Sequence, residues 1–136
     1  DVNDLHPKYV LILAGTNDMA QNNGPIEIEN TFGNIVSMCE LARMHKIKPV
    51  ICSVLPATSF SWRMQIGNRS DDIITLNDML RAYAAKHRLK YIDYHSALKD
   101  GSNGLQPSMG RDNRDSVHPN LEGYKLMEEA LMKVIR

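Results

Sequence analysis

Long apolar runs are what this sequence most plainly lacks. No uninterrupted apolar stretch approaches the ~20 residues that cross a bilayer, and no basic segment followed by an apolar core opens the chain. It reads as soluble, with no membrane span, and nothing in it assigns a compartment. An excess of one charge is also missing: Lys plus Arg and Asp plus Glu number 16 each, so no basic stripe advertises nucleic acid or an anionic membrane surface. Cysteine is scarce. Cys39 and Cys52 lie in apolar segments, where a free thiol behaves as a small hydrophobe, and no disulfide is expected of them. No His-x-x-x-His or Cys-x-x-Cys pair occurs, which leaves a metal site built from Asp115, His118 and His95 without recognised ligand spacing. No metal and no cofactor is expected.

What is present is an ordinary globular composition. With 136 residues, 43% of them hydrophobic and 24% charged, the chain is long enough to bury a core as one domain. Tyr9 to Ala14 is a continuous apolar run stopped by Gly15, the pattern of a strand covered on both faces and central in a parallel sheet. Pro49 to Leu55 repeats it and stops at Pro56, and Tyr91 to Tyr94 is a shorter third case. Between them the spacing predicts helices. Ile28, Phe32, Ile35, Val36, Cys39 and Ala42 recur on one face after Gly24-Pro25. A second helix is expected over about Asp72 to Arg88 and a third from Pro119 to about Ile135, with proline suited to the first turn. Alternation of strand and helix predicts an α/β fold: a three-layer arrangement with a parallel sheet and helices on both faces. Gly101 to Asn113 reads as a long polar loop.

Ligands of open parallel sheets sit beyond the carboxyl ends of the strands, so the outgoing loops are where chemistry is sought. The third such loop ends at Asp115-Ser116-Val117-His118-Pro119. A carboxylate three residues before a histidine can fold back onto the imidazole Nδ1–H and leave Nε2 as a base; equally, the two could simply cap and position the last helix. The first strand exits into Gly15-Thr16-Asn17-Asp18, where the Asn17 carboxamide is a neutral donor suited to an oxyanion, or a turn residue bonding its own backbone. Trp62 and Arg63 follow the second strand in a Ser/Thr-rich loop, Trp62 as an apolar wall for substrate or a lid on the core edge, Arg63 as a substrate anchor. His45 and His87 stand in basic last turns of helices, where charge favours them without chemistry. His6 and His95 are read as structural too.

Taken together, Gly15-Thr16-Asn17-Asp18 after a strand and Asp115-x-x-His118-Pro119-Asn120 at the last helix resemble the third and fifth motif blocks of the SGNH/GDSL hydrolases. The resemblance implies that Asn17 is an oxyanion-hole donor, His118 the catalytic base and Asp115 its orienting acid. Leu55-Pro56-Ala57 with Trp62 is further similar to a subgroup that includes acetylesterases acting on carbohydrates and relatives of platelet-activating-factor acetylhydrolases. The implied substrate is a small-molecule ester, an acetylated carbohydrate among them. The family's nucleophile lies in a Gly-Asp-Ser block on its first strand, and no Gly-Asp-Ser occurs here. The expectation is a single partial domain lacking the family's N-terminal strands, the C-terminal part of a serine esterase and inactive alone. In such a piece the free flank of Tyr9 to Ala14 is a sheet edge open to self-association. The alternative is a noncatalytic carbohydrate- or acyl-binding remnant of the same fold. Ser59, Ser61 and Ser116 sit on no strand-to-helix elbow that would activate a hydroxyl.

Overall fold

Three parallel strands carry the fold in this computed structural model, which describes residues 2–112 and 115–135. They are β1 (Tyr9–Ile12), β2 (Lys48–Cys52) and β3 (Lys90–Ile92), in the order β1-β2-β3. Leu11 pairs with Val50 and Ile51 with Tyr91, so all three strands end at one rim. The links are helical: α1 (Thr16–Met19) and α2 (Ile28–Met44) join β1 to β2, and α3 (Ser70–His87) joins β2 to β3. After β3 come α4 (Tyr94–Leu98), an antiparallel pair β4 (Gly110–Asp112) and β5 (Asp115–Pro119), and α5 (Leu121–Val134). Among the described residues no helix is long and apolar enough to cross a membrane.

Strand alternation sorts the core into two halves. On one face Ile12 and Ile51 pack with Ile35 and Cys39 of α2 and with Ile73, Leu76 and Leu80 of α3; on the other Val50, Cys52 and Ile92 pack with Leu98 of α4 and Met127 of α5. Fully burying each such Leu or Ile contributes about 2 kcal/mol. Both cysteines are free and buried, and burial pushes each thiol up to about 11. The predicted α/β arrangement with helices on both faces is therefore the observed one.

Several details differ from expectation. The central strand is β2, buried from Pro49 to Cys52, and not Tyr9 to Ala14; β1 is an edge, as expected of a piece without the family's N-terminal strands, with Leu11 and, just past its end, Leu13 44% and 45% exposed. An apolar run reports burial on both faces, but not which neighbour supplies it. Gly15-Thr16-Asn17-Asp18 is no simple turn, since Thr16 opens a helical turn immediately. Tyr94 starts α4, because the Asp93 side chain accepts from Ser96 N and caps a helix there. The polar stretch expected as a loop contains β4, with Asn113 outside the described residues, and the Asp115 segment expected as the end of that loop is strand β5. Pro119 ends β5 and does not enter the first turn of α5, whose N-cap is Asn120, accepting from Gly123 N at 2.9 Å.

Candidate active site

Strand β5 delivers Asp115 and His118 as one locally built unit. Asp115 Oδ1 accepts from the backbone N–H groups of Val117 (3.0 Å) and His118 (2.9 Å), which bends the chain so that Oδ2 meets His118 Nδ1 at 2.7 Å. An ionised carboxylate only accepts, so Nδ1 carries the hydrogen and Nε2 presents its lone pair outward. Burial raises the Asp115 carboxyl, but the His118 and Val117 N–H groups and the imidazole outweigh it and hold the group below its ordinary 3.8. Asp115 therefore stays charged and keeps the imidazole in one tautomer. The unit is fixed to the last helix through Asn120, whose N and Nδ2 donate to Met109 O and Ser108 O, both at 2.8 Å. Gly123 lets the helix approach this closely, since a Cβ there would stand 2.9 Å from both Met109 O and the Pro119 ring.

Asn17 arrives from the opposite side. Gly15 turns the chain out of the sheet at φ 122°, a left-handed value that favours glycine, with Val54 and Leu76 packed where a Cβ would point. The four-residue helix α1 then places Asn17 outward and Asp18 inward. Asp18 Oδ2 accepts from the buried Thr31 hydroxyl at 2.9 Å, and Met19 O accepts from Arg69 Nε at 3.2 Å. The Asn17 amide oxygen accepts from Asn22 Nδ2 at 3.1 Å, while Asn17 Nδ2 has no acceptor among the described residues. A neutral donor is left free.

Both sides open on one cleft of about 490 Å³ at the carboxyl rim, lined by Gly15, Asn17, Thr31, Leu55, His118 and Tyr124 among others. Base and donor thus share one space, with apolar surface beside them for an organic group. Trp62 and Arg63 do not line it. Trp62 packs its ring on buried Phe60 at 5.4 Å between centroids and donates its indole N–H to Asn22 Oδ1 at 2.9 Å. His95 is buried in α4 and held below its ordinary value by burial and by Lys99 and Arg81 against the pull of Asp93, while His87 lies against Tyr83. Among the described residues no cluster of three His, Cys, Asp or Glu side chains could hold a metal. A second concavity, of about 430 Å³, lies at the other end of the sheet and is lined by Arg43, Lys46, Lys48, Arg88 and Lys90. It brings no acid and base together. Sequence reasoning missed Asn22, Thr31 and Arg69; no recognised spacing marks them, because Thr31, Arg69 and the Trp62 bond of Asn22 reach partners 13, 50 and 40 positions away.

The model of the GDSL-like lipase/acylhydrolase family matches residues 1–126. The chain belongs to this family. Among solved structures it is similar to a GDSL-like lipase from Bacteroides thetaiotaomicron (40% identity, TM-score 0.90), covering 98% of this chain and 64% of that one. It is similar also to a candidate acylhydrolase from Bacteroides fragilis (41% identity, TM-score 0.92), covering 98% and 63%. An acetyl-xylooligosaccharide esterase from Geobacillus shares the fold at 14% identity and TM-score 0.75, covering 98% and 61%. No curated protein matches. The chain thus spans less than two thirds of the length of these family members.

Proposed function

We propose that the full-length protein carrying this chain is a serine-type carboxylic-ester hydrolase acting on small acyl esters, acetylated carbohydrates in particular. The observation that supports it most is the 2.7 Å bond from His118 Nδ1 to Asp115 in a cleft shared with Asn17. His118 Nε2 takes the proton of an attacking serine hydroxyl as the C–O bond forms at the ester carbonyl. The carbonyl electron pair moves onto oxygen, and Asn17 Nδ2 donates to that oxyanion, an interaction worth roughly 3 kcal/mol in a water-poor site. Collapse expels the alkoxide, which receives the proton from His118, and water repeats the sequence to release the acid. The nucleophile is assigned to a Gly-Asp-Ser block outside these 136 residues, since none occurs within them. Acyl size and sugar rest on the likeness of Leu55-Pro56-Ala57 and Trp62 to carbohydrate acetylesterases. Trp62 and Arg63 lie outside the cleft, so a substrate reaches them only if it extends beyond the cleft lining.

The test is hydrolysis of p-nitrophenyl acetate and of longer acyl esters by the full-length protein, with and without His118→Ala. Turnover should favour the short acyl group and fall about 10³-fold in the variant. Undiminished turnover would remove His118 from the mechanism. The missing Gly-Asp-Ser favours a second reading, a noncatalytic acyl- or sugar-binding domain. That reading predicts calorimetric binding of acetylated xylo-oligosaccharides without any hydrolysis.

A further inference from the structure

An asparagine used as an oxyanion donor has an inherent weakness: its amide can rotate by half a turn and offer oxygen instead of nitrogen. Something must set its polarity. In this molecule that polarity traces back to a group that cannot be reversed. The indole Nε1–H of Trp62 only donates, so the Asn22 carboxamide must turn its Oδ1 toward Trp62, at 2.9 Å. Asn22 then has its Nδ2 left for Asn17, which must turn its own Oδ1 toward it, at 3.1 Å. The remaining group, Asn17 Nδ2, is directed away from this chain of bonds. Reversing either amide would set donor against donor.

The chain of bonds is anchored at both ends. Trp62 lies on Phe60, which is fully buried, and Arg63 N closes a turn onto Phe60 O at 2.9 Å. Asn22 N donates to Asn17 O at 3.0 Å, so the two side chains are brought side by side by the backbone before their amides pair. Trp62 itself is 47% exposed, more than a ring kept only for the core requires.

We propose that Asn22, held by the Trp62 indole N–H, is a positioning residue that fixes the amide of Asn17 with nitrogen toward the oxyanion. The inference rests on the reading of Asn17 as the oxyanion donor. It also gives Trp62 a part in the chemistry from outside the cleft, through polarity and not through contact with substrate.

The experiment is a kinetic cycle on the full-length protein with p-nitrophenyl acetate, using Asn17→Ala, Asn22→Asp, their combination, and Trp62→Phe. A carboxylate at position 22 still accepts from Trp62 but offers Asn17 no donor, so kcat should fall roughly 30-fold with KM within about twofold. Trp62→Phe keeps an aromatic ring beside Phe60 and removes the N–H donor together with the pyrrole part of the indole; a kcat loss of about fivefold is expected, with only a small drop in melting temperature. In the Asn17→Ala background, Asn22→Asp should change kcat by less than about twofold, because its effect passes through Asn17. Equal losses in both backgrounds, or an unchanged kcat for Asn22→Asp beside a reduced one for Asn17→Ala, would overturn the inference. If Asn17→Ala itself leaves kcat intact, the oxyanion-donor reading fails instead. Should Asn22→Asp fail to fold, Trp62→Phe alone decides: wild-type kcat rejects the positioning role.

Discussion

The arm carrying Asp115 and His118 is fastened by bonds of short range, a step of three positions from the acid to the base and of twelve from Asn120 to Ser108. The arm carrying Asn17 is fastened by bonds that jump 13 residues to Thr31, 40 from Asn22 to Trp62 and 50 from Met19 to Arg69. The acid–base pair would assemble wherever β5 forms and the last helix is capped. The donor is placed only when α2 and the segment from Phe60 to Arg69 are already packed. One half of the chemistry is thus written into a local sequence, and the other is a property of the assembled fold.

Substitutions can break the comparison from either side. The largest loss is expected for Asp115→Asn in the full-length protein. Its side-chain oxygen can still accept from Val117 N and His118 N, but the amide in place of Oδ2 favours the wrong imidazole tautomer. Steady-state kinetics should show kcat down about 10⁴-fold with the fold intact by circular dichroism. Asn17→Ala should cost about 10²- to 10³-fold in kcat with little change in KM. The donor arm should further be sensitive at a distance. Asn77 clamps Val54, its Oδ1 accepting from Val54 N at 2.7 Å and its Nδ2 donating to Val54 O at 3.1 Å, and Val54 is the wall against which Gly15 turns. Asn77→Ala leaves two buried backbone groups unpaired, and urea unfolding should show a loss of about 3 kcal/mol.

A gentler probe is Thr31→Val, which keeps shape and removes the hydroxyl donated to Asp18. Stability should drop by about 1 kcal/mol, with a kcat loss of a few-fold that no equally conservative change near β5 reproduces. The smallest effect concerns acid. The Asp115 carboxyl is held below its ordinary 3.8, so between the folded and unfolded values the unfolded chain binds the extra proton. Its contribution is present above the ordinary carboxylate range and is lost as pH falls through the folded value. Buried His95, held neutral below its ordinary 6.5, works in the same direction at higher pH, its share of stability declining as pH drops below that ordinary value. Melting curves across this range should show Asp115→Asn flattening the lower limb only.

The same division explains what could be read before folding. Asp115 and His118 stood out because they stand three positions apart in one short stretch. Asn17 was legible because a strand, a glycine and an amide follow in order, and the α/β alternation itself came from apolar periodicity. The hairpin was hidden: of β5 only Val117 and Pro119 turn inward, too few to show alternation amid Gly, Asp and Asn. The place of β1 at the edge was not legible in its own residues, since Leu11 and Leu13 look identical in sequence to core residues; it followed only from the resemblance and the missing N-terminal strands. Trp62 was noticed for its ring, whereas its hydrogen bond runs through the indole nitrogen to Asn22, a partner 40 positions away that no period connects to it.

The most direct test is a crystal structure of the full-length protein inactivated by a small alkylphosphonate, a mimic of the tetrahedral intermediate. The account predicts a covalent serine adduct in this cleft, its phosphoryl oxygen about 3 Å from Asn17 Nδ2 and His118 Nε2 facing the leaving-group position. An adduct whose oxygen points away from Asn17, or one formed with His118 turned off Asp115, would contradict it.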